Sequence, residues 1–153
     1  MLESGDEEAI GLARARKQGT YPPDFKVRPC PVDQEVHDHE TFLAAGIQFT
    51  VLHVRGHSPD AVCYSAQIDS RNCLFVGDTV FYGGVLGVIN ADGSGMEGYR
   101  EDLSKLGGLE IDGLFPGHGM FTLRFGQRHI DCALQQLQNG FLGRQIGQGD
   151  LLF

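Results

Sequence analysis

Between positions 47 and 54 the side chains alternate, with Ile47, Phe49, Val51 and His53 on one face and Gln48, Thr50, Leu52 and Val54 on the other. Period-two patterning of this kind predicts a strand, and Ala44-Ala45-Gly46 joins it to residues 41–43 as a hairpin. Residues 61–68 read as a third strand. Asp69-Ser70-Arg71-Asn72 then forms the turn into a fourth at 73–76, apolar throughout as expected of a strand covered on both faces. Residues 83–95 are glycine-rich and have no period. From Ser94 or Gly95 a helical stripe begins, with Tyr99, Leu103 and Leu106 at i, i+4 and i+7, stopped by Gly107-Gly108. Residues 111–115 predict another short strand running into Pro116. The clearest helix lies over 127–141, where Ile130, Ala133, Leu134, Leu137 and Phe141 make one stripe.

The first 35 residues follow a different plan. Ser4 with Asp6, Glu7 and Glu8 reads as a helix start, and Arg14, Arg16 and Lys17 complement the dipole before Gly19. Pro22, Pro23, Pro29 and Pro31 make residues 21–32 an extended loop. The expected organisation is a single domain over 1–153, with a helix and Pro-rich loop at 1–35, a core at 36–143 and a tail at 144–153. Strands first, then strand–helix alternation, predict an α/β fold: a mixed sheet with helices on one face.

Composition narrows the function. A 41% hydrophobic and 21% charged chain is an ordinary globular one, and its 22 glycines point to many tight turns. A formal charge of −8 argues against a nucleic-acid groove. No apolar run approaches bilayer-spanning length and the acidic start is no signal peptide, so a cytoplasmic protein without membrane contact is expected. The four cysteines, Cys30, Cys63, Cys73 and Cys132, contain no CxxC pair and read as reduced thiols rather than a disulfide framework.

Chemistry concentrates at three places. His57 follows one predicted strand after Arg55-Gly56, Asp78 another after Gly77, and His118 a third after Pro116-Gly117. Strands fix the backbone while the loops leaving them aim side chains. Two imidazoles and a carboxylate converging from one sheet edge suit a catalytic metal such as zinc.

These segments resemble the motifs of metallo-β-lactamase-fold hydrolases. His57-Ser58-Pro59 is similar to the Gly-His-(Ser/Thr)-Pro-Gly motif, Gly77-Asp78-Thr79-Val80-Phe81 to Gly-Asp-x-x-Phe, and Pro116-Gly117-His118-Gly119 to Pro-Gly-His-Gly. The intervals of 21 and 40 residues are of the size the family uses. The resemblance covers about residues 36–137 and implies the second half of an αββα sandwich. It further implies that His57 ligates one metal, that Asp78 is the catalytic carboxylate bridging two, and that His118 ligates the second. Zinc is the implied cofactor, one or two ions, with iron the alternative. Asp78 stands where β-lactamases tend to carry Cys or Ser, so the resemblance points to a small ester or thioester substrate, as in glyoxalase II and related enzymes.

Two departures shape the expectation. The family's His-x-His-x-Asp-His signature is absent; His37-Asp38-His39-Glu40-Thr41-Phe42 begins like it but carries Thr41 and Phe42 where Asp and His belong, and reads as a polar hairpin tip. Only 35 residues follow His118, too few for the helical domain with which glyoxalase II grips glutathione. The chain is therefore expected to lack the N-terminal half of the fold, and to form a homodimer or associate with that half. Two other readings stay open, a non-catalytic relative acting by association and an iron-dependent oxidoreductase of the same fold. His53, on the inward-looking face of its strand, has ordinary packing or support of the metal site as its alternatives. His129 reads as a helix-end residue, and Tyr82 and Asn90 as loop residues with substrate contact as the alternative.

Overall fold

Only Ala45 and Gly46 separate β1 (Thr41–Ala44) from β2 (Ile47–His53), which pair antiparallel with Ala44 opposite Ile47. Both turn residues have positive φ, 50° and 79°, the mirror-type geometry whose twist suits a two-residue hairpin. The structure, a computed structural model, describes residues 34–140. The expected N-terminal helix, Pro-rich loop, Phe141 and tail lie outside the described residues. The chain divides into two units, residues 1–36 and 37–153, and the second holds every element below.

β3 (Val62–Ile68) pairs with β2 and turns into β4 (Arg71–Gly77) through Asp69 and Ser70 alone, at φ 49° and 60°. The expected four-residue turn is thus half as long, because short polar side chains support the left-handed conformation locally. β7 (Gly113–Pro116) lies parallel to β4 and completes a five-stranded sheet in the order β1-β2-β3-β4-β7. The sheet is mixed, as the element order predicts.

Between β4 and β7 run a two-stranded ribbon and a helix. The ribbon pairs β5 (Val80–Phe81) with β6 (Val85–Leu86), and β6 falls within residues 83–95, the stretch expected to be loop. Strands of two residues leave no periodic signal; burial of Val80 and Leu86 fixes them instead. α1 (Met96–Asp102) continues as a 3-10 turn over Leu103–Leu106, and α2 (Gln127–Gln138) follows β7. Tyr99, Leu103 and Leu106 are fully buried, as are Ile130 and Ala133 of α2. They share one core cluster with Leu52, Val54, Cys63, Leu74, Val76 and Leu114 of the sheet, so both helices cover the same face. Each such leucine contributes roughly 2 kcal/mol by leaving water. Burial also pushes the Cys63 thiol up to about 12, which leaves it unreactive. Cys63, Cys73 and Cys132 are free, in keeping with reduced thiols.

The opposite face carries a row of aromatic rings. Phe42 stacks on Phe49 at 5.4 Å, Phe49 meets Phe75 at 6.0 Å, Phe75 stacks on Phe115 at 4.9 Å, and Phe115 on Phe121 at 6.0 Å. Leu52 of β2 and Val54 just after it join the helix-side core, while His53 shares the other face with Phe49 and the fully buried Val51. No helix among the described residues is long and apolar enough to cross a membrane.

Candidate metal centre

The topology brings three loops to one sheet edge. β2 is antiparallel to β3, β3 to β4, and β4 is parallel to β7. Strands β2, β4 and β7 therefore point the same way, and their C-terminal ends lie on the same side. His57 follows β2, Asp78 follows β4 directly, and His118 lies two residues past β7. The ends of β4 and β7 are tied where Gly117 N–H donates to the Gly77 carbonyl at 2.7 Å.

The predicted trio does meet. His57 Nε2 lies 3.7 Å from Asp78 Oδ2, and His118 Nε2 lies 3.4 Å from the same oxygen. Asp78 and His57 are half-buried, whereas the His118 side chain is 74% exposed. The His57 ring is held from behind: Nδ1–H donates to the Gly87 carbonyl at 2.6 Å. A carbonyl only accepts, so in the neutral ring this bond places the proton on Nδ1 and leaves a lone pair on Nε2. That lone pair and a carboxylate oxygen then face each other as two acceptors, an arrangement that a cation between them would satisfy.

Glycines make the close approaches. A Cβ at Gly117 would stand 2.6 Å from Asp78 Oδ1, and one at Gly56 2.4 Å from the Tyr99 ring. Gly56 also has φ of 140°, open only to glycine. Its carbonyl accepts from Gly95 N–H at 2.9 Å and from Ser94 Oγ at 3.1 Å, which straps the glycine-rich loop over the His57 loop.

Behind that loop sits an ionic network. Asp102, 4% exposed, accepts from Arg55 Nε at 2.5 Å and Arg55 N–H at 3.2 Å through Oδ2, and pairs through Oδ1 with Lys105 Nζ at 3.1 Å. The Arg55 guanidinium holds the Asp102 carboxyl well below the usual carboxylate range. Lys105 also reaches Asp38 Oδ2 at 2.9 Å and the His53 carbonyl at 2.8 Å. Asp38 in turn accepts His53 N–H at 2.8 Å.

The other singled-out residues fall elsewhere. His53 Nε2 bonds the Pro59 carbonyl at 2.8 Å, so it braces the His57 loop and does not reach the trio. His37-Asp38-His39 forms a turn before β1, with Asp38 docked on Lys105 and not merely a polar tip. His129 Nδ1 accepts Gly83 N–H at 2.9 Å and its ring lies 4.2 Å from that of Tyr82, while Asn90 is exposed. Sequence reading missed two contributors. Gly87 acts through a backbone carbonyl, which no side-chain motif displays, and Asp102 acts through Arg55, 47 residues away.

For a metal, the trio fits in kind and falls short in number. Bonds of the usual zinc length put neighbouring ligand atoms ~3.3–3.4 Å apart, close to the separations of 3.4 and 3.7 Å found here. Yet among the described residues no three His, Cys, Asp or Glu side chains are grouped to hold one ion. Each imidazole pairs with the carboxylate, but the three do not close a single shell.

A mixed sheet with helices on one face and a His–Asp–His edge also occurs in a known family of proteins. The sequence profile of the Metallo-beta-lactamase superfamily matches residues 3–118, and the chain belongs to that superfamily. It is 29% identical over 103 residues to the thioesterase pkgB of Emericella nidulans, a match covering 67% of this chain and 28% of that protein. Its fold is similar to the B3 metallo-beta-lactamase BLEG-1, at 21% identity and a TM-score of 0.59, covering 82% of this chain and 60% of that one. It is also similar to TTHA1623 in a di-iron-bound form, at 25% identity and a TM-score of 0.57, covering 83% and 60%. The chain thus spans under a third of the curated relative and about three fifths of these two structures.

Proposed function

We propose that the chain carries part of the metal site of a hydrolase that cleaves esters or thioesters, with His57, Asp78 and His118 as ligands. The observation that carries this reading is the meeting of both imidazoles on one oxygen of Asp78, with His57 Nε2 freed by the Gly87 carbonyl. His57, Asp78 and His118 would hold metal only together with further ligands, and both imidazoles meet the Asp78 carboxylate. The chain's residues bind and orient: Gly87 fixes the His57 ring, and Gly117 leaves room for the Asp78 carboxylate. A metal held by His57, Asp78 and His118 together with further ligands would supply Lewis acidity there. The thioesterase relative supports thioesters as the substrate class. Zinc is the proposed metal, with iron the alternative that the di-iron neighbour supports.

The reading extends to organisation. Residues 1–153 form one domain in this proposal, and the remaining ligands come from a His-x-His-x-Asp-His segment that the sequence does not contain. The aromatic face is where that half, or a second copy, packs. The 153-residue chain by itself then holds zinc weakly and hydrolyses poorly. Metal analysis after dialysis of the purified chain should find well under one zinc per chain; stoichiometric, dialysis-resistant zinc with strong esterase activity would refute the divided site. Iron in place of zinc would favour the oxidoreductase reading. The open trio also favours a non-catalytic relative acting by association, which is the reading left if no metal binds at any concentration.

A further inference from the structure

Asp102 is a buried carboxylate that the proposed chemistry does not use, and its contacts reach the His57 loop from both sides. On the near side it takes Arg55 N–H and Nε, two residues before His57. On the far side it holds Lys105, whose Nζ donates to the His53 carbonyl; His53 Nε2 then bonds Pro59, two residues after His57. The loop from 53 to 59 is thereby pinned at three points, 53, 55 and 59, with His57 between the last two. Gly56 lies within this span at a φ that only glycine tolerates, packed on the ring of Tyr99 from the same helix as Asp102.

We infer that Asp102, with Lys105, is a positioning residue for His57: it sets the loop so that Nδ1 reaches Gly87 and Nε2 faces Asp78. The inference rests on the reading of His57 as a ligand, but the geometry it describes exists without metal. Asparagine cannot substitute for it. One amide oxygen cannot accept from Arg55 N–H, Arg55 Nε and Lys105 together, and the amide NH2 confronts donors.

Histidine-15N spectra of the metal-free chain, together with zinc titrations, test this on Asp102→Asn, on Lys105→Met and on the control Leu103→Ala. Leu103 is fully buried in the adjoining turn, so its loss weakens the fold without touching the network. In Asp102→Asn the His57 ring signal should leave its Nδ1-protonated position and zinc should bind about 10-fold more weakly. Lys105→Met should show a smaller change in the same direction, and it keeps the test decisive if Asp102→Asn does not fold. Leu103→Ala should keep both readouts at temperatures where it is folded. Unchanged His57 signals in both network variants, or the same shift in Leu103→Ala, would overturn the inference. If His57→Ala binds zinc as well as the native chain, the ligand reading fails, and the metal-free His57 signal alone still decides the positioning.

Discussion

Asp78→Asn is expected to weaken zinc binding about 100-fold or more while leaving the fold intact. The substitution keeps the shape of the side chain and removes its charge. Both imidazole contacts converge on Oδ2, so one change takes the shared partner from His57 and His118 together. Loss of an outer-shell partner alone typically costs 10–100-fold in metal affinity, and loss of a bridging ligand should exceed that. The fold has little at stake. The side chain is 28% exposed and its two contacts are with imidazole nitrogens at 3.7 and 3.4 Å, so the change in stability should stay within about 1 kcal/mol. Isothermal titration with zinc and thermal unfolding of the same samples separate the two effects. Equal zinc affinity in the two proteins would remove Asp78 from the site.

Gly87→Ala should damage fold and site at once. A Cβ there would stand 1.7 Å from the Asp78 carbonyl oxygen and 2.9 Å from its carbon, and backbone cannot rotate away. The ribbon base must open, and overpacking of this kind costs about 1–3 kcal/mol or more. Because the Gly87 carbonyl is the acceptor for His57 Nδ1, the shift also frees the ring that it orients. Gly95→Ala is the matched control. Nothing lies within 4 Å of its Cβ and its φ of 166° is ordinary extended backbone, so it should be neutral or stabilising by about 0.5 kcal/mol. Denaturant unfolding of the pair reads the difference directly. A Gly87→Ala protein as stable as the control would show that the ribbon is not seated on Asp78.

What the sequence discloses depends on how local the cause is. The β1–β2 hairpin was legible because Ala45-Gly46 is a turn signal flanked by alternating residues. The stripes Tyr99–Leu103–Leu106 and Ile130–Ala133 were legible because helical period and burial coincide. The 69–72 turn was read two residues too long, since Asp69 and Ser70 take a left-handed conformation that glycine usually announces. β5 and β6 escaped because two residues have no period. The same rule governs the site. His57, Asp78 and His118 each follow a strand and sit in a recognisable motif, so their meeting could be anticipated. Gly87 could not: it is one glycine among several in an aperiodic stretch, and its role is a carbonyl. Asp102 carries no motif of its own, and only the packing of α1 against the loop after β2 reveals the arginine it faces. Motifs name donors; long-range packing decides what aims them.

In the proposed site zinc enters between His57, Asp78 and His118. His37 and His39 are exposed, two residues apart, and offer a competing pair. Histidine-selective 15N spectra recorded during a zinc titration distinguish the two sites. With zinc in that site, the ring signals of His57 and His118 should move together, at Nε2, while those of His37, His39, His53 and His129 stay in place. Movement of His37 and His39 with His57 and His118 unperturbed would contradict the proposed site.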